Sequence, residues 1–168
     1  MIPYMDLNEQ ADKDFERARR RALLRWLTAR FRYDPLPSFE DARSPLCAYN
    51  RVRLGTREVE VGRIVGSVGR RRDFDRSFMP LRANVGERWK RMDLAYLRAE
   101  DLPPVELYKL GDAYFVLDGN HRVSVARYQG TPTLEAVVTE FRPSRASNLQ
   151  SRVTRSLDRR TPPRANAA

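Results

Sequence analysis

Two apolar arms and a helix meet at one dipeptide, Asp118-Gly119, and that junction limits the fold more than any other stretch of the chain. Val105, Leu107 and Leu110 mark the first arm, Gly111-Asp112 supplies a turn, and residues 114–117 form the return arm. Two such arms around a short glycine-containing turn read as a β-hairpin. Residues 120–128 then read as a short helix, and Gly130 can take the left-handed conformation that closes a helix C-terminus. A strand that passes through glycine straight into a helix leaves the first helical amides without intrahelical acceptors.

The other segments set the class. Within residues 8–32, Phe15, Ala18, Ala22, Leu23, Trp26, Leu27 and Phe31 recur at three- and four-residue steps, the mark of a long amphipathic helix. Glu9, Asp12 and Asp14 lie near its start, where the helix dipole favours acids. Its apolar stripe is expected to dock on the rest of the protein or to serve as a homodimer contact, with Arg17, Arg20, Arg21 and Arg25 on the opposite face. Residues 34–49 hold Pro35, Pro37 and Pro45 and read as an irregular linker. Residues 57–65 alternate as a strand, and 66–70 turn. Residues 71–82 read as a charged loop or short helix pinned by Phe74, Phe78 and Met79. Residues 87–99 form a second amphipathic helix, with Trp89, Met92, Tyr96 and Ala99 on one side and Pro103-Pro104 after it. A last strand covers 133–141. The expected organisation is a helix over 1–33, a linker over 34–52, a compact unit over 53–141 and a basic, disordered tail over 142–168. The expected class is α+β, a small mixed sheet with flanking helices and a long amphipathic helix before it.

Charge and rare residues narrow the chemistry. The formal net charge is +10, nearly all of the positive charge from arginine, whose planar fork of donors matches phosphate oxygens. Such a balance favours anionic partners, nucleic acid among them. With one cysteine, Cys47, and one histidine, His121, neither an intrachain disulfide nor an ordinary zinc site can form. The sequence has no secretory signal and no stretch able to span a bilayer, so a cytoplasmic protein without membrane partners is expected.

The junction itself carries the chemistry. Free amides and the helix dipole favour an anion at the helix start, and Gly119 allows close backbone approach. His121 and Arg122 add donors there, while Asp118 can cap the helix, orient His121 or hold a magnesium ion. The same residues also fit a structural turn in which Arg122 pairs with Asp118 or Asp112.

Asp118-Gly119-Asn120-His121-Arg122, followed by Val-Ser-Val-Ala-Arg after a hairpin, resembles the second box of the ParB/sulfiredoxin superfamily. Leu102-Pro103-Pro104-Val105-Glu106-Leu107 is similar to the approach to that family's hairpin, and residues 59–63 resemble its opening strand. The resemblance spans roughly residues 59–141 and implies that Gly119, Asn120, His121 and Arg122 grip the phosphates of CTP or ATP, with Mg2+. Asn120 stands where the sulfiredoxin box has cysteine, so sulfinic-acid reduction is not the expected reaction.

Three functions compete at this stage. One is a nucleotide- or nucleic-acid-binding domain with nuclease or nucleotide-hydrolysing activity. The second is a small-molecule phosphotransferase similar to the serine kinases of that superfamily. The third is a non-enzymatic DNA-binding or regulatory module. Catalysis would draw on Asp118, His121, Glu87, Asp73 or Asp75, and Arg70, Arg76, Arg122 and Arg127 would hold phosphate charge.

Overall fold

The computed structural model describes residues 6–28 and 35–143. The expectations for Phe31 and for most of the basic tail lie outside the described residues. Within them the fold is mixed α+β: a five-stranded mixed sheet with helices on it, including a long helix before the sheet.

Helix α1, Leu7–Thr28, buries Ala11, Phe15, Ala18 and Ala22, a seam at four- and three-residue steps. Phe15 meets Trp89 with ring centroids 5.7 Å apart, which docks α1 on α3, Gly86–Leu97. The seam is narrower than the apolar pattern implies, because Leu23 and Leu27 are 54% and 44% exposed. Small Ala18 and Ala22 form the contact line, and the two leucines ride on the neighbouring ridge. On α3 the inward side is likewise shifted: Trp89, Asp93 and Ala95 are buried, and Tyr96 and Ala99 are exposed.

The sheet order is β1-β5-β3-β4-β2. β1, Asn50–Glu60, runs antiparallel to β5, Thr133–Arg142, which is parallel to β3, Val105–Leu110. β3 and β4, Ala113–Asp118, form the expected hairpin, and β4 is parallel to β2, Ile64–Ser67. Period-two alternation assigns the faces. Val105, Leu107, Tyr114, Val116, Ala136 and Val138 share one core with Phe15 of α1, Trp89 of α3 and Val123 of α4, Asn120–Gln129. Leu110, Phe115 and Phe141 point the other way, onto Phe39 and Ala48.

Two segments depart from the sequence reading. β1 starts at Asn50 and ends at Glu60, and a tight turn over Val61–Arg63 separates it from β2. β1 is an edge strand and largely exposed; in its early part Val52 and Leu54 are half-buried between exposed Arg51, Arg53 and Gly55, and its arginines protect the edge from pairing with other chains. Residues 35–49, expected as an irregular linker, form a strap that includes α2, Phe39–Arg43, capped by the Ser38 hydroxyl. Leu36 is fully buried, and the Ser67 amide donates to the Pro37 carbonyl at 3.1 Å. Gly66 permits this contact, since a Cβ there would lie 2.4 Å from the Pro37 oxygen. Phe39 and Ala48 of this strap cover the second face of the sheet, and Leu36 joins the main core.

Gly66 and Ser67, expected in a turn, end β2; the loop expected over 71–82 begins at 68 and, as expected, buries Phe74, Phe78 and Met79. Asp75 organises it, accepting from the Ser77 and Met79 amides at 2.9 Å each and pairing with Arg25 of α1 at 3.0 Å.

Asp93 sits fully buried between α3 and α4. One oxygen accepts from Gln129 Nε2 at 2.7 Å, and Oδ2 has no partner. Burial pushes the carboxyl up from 3.8 to about 6. A pKa raised on folding adds stability below the unfolded value and loses it as pH rises through about 6. Asp93→Asn is therefore expected to raise the melting temperature by roughly 5 °C at pH 7.5 relative to its effect at pH 4.5, measured by thermal unfolding at both values.

Candidate anion site at the start of α4

β4 ends at Asp118, and Gly119 turns the chain into α4 with φ +102°. A Cβ at Gly119 would lie 2.7 Å from Val105 Cγ1, so glycine is required by both conformation and space. The Gly119 carbonyl accepts the first helical bond, from the Val123 amide at 3.0 Å. No side chain caps this start, and the amides of residues 120–122 have no acceptor within the helix.

The residues that carry those amides, Asn120, His121 and Arg122, border a hollow of about 200 Å3. Gly119, Asn120 and His121 line it from α4, Arg70 from loop 68–82, and Arg88, Arg91 and Met92 from α3. Arg88 and Arg91 are three residues apart, hence on one helix face; both are exposed. Arg70 keeps only a loose contact with Asp73, 3.4 Å. The hollow therefore gathers guanidinium charge in front of a helix dipole of the same sign.

Arg122 plays a different part from the one its sequence position implies. Its guanidinium donates to the Pro103 carbonyl, to the Pro104 carbonyl at 3.0 Å and to Asp118 Oδ2 at 2.8 Å. It is a strut that ties the approach to β3, the end of β4 and α4 together at the rim of the hollow. Asp118 accordingly does not cap the helix. It is the one carboxylate among the lining residues and is already paired with Arg122. Among the described residues no group of three or more His, Cys, Asp or Glu could hold a metal ion, so a magnesium ion here would take most of its oxygens from a bound phosphate and water, with Asp118 as the one carboxylate of the lining.

Asn120 is 6% exposed, and its Oδ1 has no partner. Both ring nitrogens of His121 are buried without partners, and Phe74 packs edge-on to the ring at 5.4 Å. Burial, reinforced by Arg70 and Arg88, pushes the imidazole down to about 4. At neutral pH it is an uncharged hydrogen-bonding group and a poor general base.

The remaining candidates lie apart from the hollow. Arg127, towards the other end of α4, donates to the Val61 and Ile64 carbonyls at 3.1 and 2.6 Å and stacks on Phe78. Glu87 is 90% exposed at the side chain and 3.7 Å from Lys90, and neither it nor Arg76 lines the hollow. Asp75 is committed to its loop. Arg88 and Arg91 were missed by sequence reasoning. Their spacing on the polar face of α3 was visible, but what that face looks onto was not. A larger hollow of about 710 Å3 beside α1 is lined by mid-helix side chains such as Arg19, Arg20 and Leu23, where no helix start supplies amides.

No family model matches the chain, and no curated protein matches it. A solved structure that does match is the crystal structure of sulfiredoxin from Arabidopsis thaliana, at 17% identity, covering 58% of this chain and 96% of that chain, with a TM-score of 0.36. A likeness that distant establishes neither family nor function.

The strut assignment has a direct consequence. Arg122→Ala is expected to lower unfolding stability by about 2 kcal/mol without any ligand, and Arg122→Lys to recover less than half of it, because one ammonium cannot reproduce the fork. Denaturant titration of the three proteins measures both, and an unchanged midpoint in Arg122→Ala contradicts the assignment.

Proposed function

We propose that the hollow at the start of α4 binds the phosphate of a nucleotide or of a nucleic acid. One observation carries this reading: an uncapped helix start, opened by a glycine that nothing larger can replace, faces Arg70, Arg88 and Arg91 across one small hollow. Backbone amides at a helix start and converging guanidinium groups are the two devices by which proteins hold phosphate oxygens. The resemblance of residues 118–122 to the ParB/sulfiredoxin box supports a nucleotide such as CTP or ATP as the ligand. The net charge of +10 supports the second reading, a nucleic-acid backbone.

The surroundings favour binding over catalysis. His121 is a weak base, Asp118 and Asp73 are paired with Arg122 and Arg70, and Glu87 and Asp75 lie elsewhere, so among the described residues none of these candidates is an unpaired base facing the hollow. The nuclease and phosphotransferase readings lack that support.

Arg88 and Arg91 are exposed, so removing them leaves the core intact. The double variant Arg88→Ala/Arg91→Ala is expected to weaken binding of CTP, ATP or short single-stranded DNA by about tenfold or more, as two charge-assisted contacts are lost. Calorimetry on wild type and variant measures this. Equal affinities would remove the hollow from consideration.

A further inference from the structure

Arg70, Arg88, Arg91 and the amides of residues 120–122 offer only donors to a ligand. Asn120 and His121 do not follow that pattern. A neutral imidazole carries one donor and one acceptor in either tautomer, and an amide carries both in either orientation. His121 has neither nitrogen satisfied, and Asn120, more than nine-tenths buried, has its Oδ1 unsatisfied. Both residues line the hollow, with the unpartnered atoms themselves shielded from solvent, so a ligand group meets them through a small turn of either side chain. A fully ionised phosphate or sulfate could satisfy every donor there and would still leave one acceptor orphaned on His121 in either tautomer, and a second on Asn120 with its Oδ1 placed as it is. An orphaned buried acceptor is destabilising, and the native remedy is a partner that donates.

We infer that the site takes a small phosphorylated compound carrying a hydroxyl or amino group beside its phosphate, with Asn120 and His121 receiving that group's hydrogen. The inference rests on the phosphate reading above and selects within it. A ribonucleotide or sugar phosphate meets the requirement, whereas an internal DNA phosphodiester has only acceptors at the phosphate and its bridging oxygens. The hollow, about 200 Å3, has room for about six waters, more than a phosphate group alone fills.

Calorimetry on the full chain at pH 8 tests this with charge-matched probes: methyl phosphate against glycerol 3-phosphate and ribose 5-phosphate, and CTP or ATP against its 2′,3′-dideoxy counterpart. Wild type is expected to favour the hydroxyl-bearing member of each pair by about tenfold or more, one hydrogen bond to an otherwise unsatisfied group. His121→Phe and Asn120→Leu are expected to bring that ratio towards one. Equal binding of paired probes by wild type would overturn the inference and leave the phosphate site standing, and this comparison needs no variant to fold. A ratio unchanged in both variants would overturn the assignment to these residues. Failure of every probe to bind would overturn the phosphate reading together with the inference built on it.

Discussion

The corner at Gly119 fixes the rest of the structure. Its positive φ lets β4 pass into α4 without an intervening loop, and its missing Cβ lets the helix start lie against Val105 of the adjacent strand. Arg122 then reaches back from the first turn of α4 to both proline carbonyls before β3 and to the last residue of β4. Beneath the corner, Ser124 is completely buried; its hydroxyl accepts from Trp89 Nε1 at 2.8 Å and donates to the Phe78 carbonyl. One side chain thus joins α4, α3 and loop 68–82, the three segments that bring donors to the hollow. The positions of Arg70, Arg88 and Arg91 relative to the helix start follow from that join.

Buried polar atoms without a hydrogen-bond partner occur at several places in the fold, and it is their setting that differs. Arg127 is partly buried; its Nη2 donates to two carbonyls and Phe78 lies against the guanidinium, while Nε is left without a partner away from the hollow. Asp75 is buried and accepts two amides besides facing Arg25. Asn120 and His121 sit in the same helix as Arg127 but at its start, where Asn120 Oδ1 and both His121 nitrogens meet no protein partner. Protein interiors rarely tolerate such atoms, and where they occur beside an uncapped helix start the departure is itself informative.

The features legible in the sequence were those fixed at short range. The hairpin, the glycine corner and α4 with its left-handed Gly130 are each encoded within a few neighbouring residues, and the structure contains all three. The seam of α1 was legible in period but not in width, because only the partner decides whether Ala22 or Leu23 faces inward. The strap over 35–49 was hidden, since its order comes from a sheet face built by residues far along the chain. In the site, Gly119, Asn120 and His121 were found by position. Arg122 lines the hollow with them, its guanidinium held by Asp118 and two carbonyls, whereas Arg127 was grouped with them by sequence proximity, which is a poor guide on a helix: seven residues past Asn120 lies about 10 Å along the axis. Arg88 and Arg91 carried no local signal because a polar helix face looks the same whether it borders water or a binding hollow.

The most direct measurement follows the backbone amides themselves. In 15N–1H spectra of the full chain titrated with inorganic pyrophosphate, the largest saturable shifts are expected at the amides of Asn120, His121 and Arg122. Saturable shifts confined to other arginine-bearing surfaces, with those three resonances unmoved, would contradict the account.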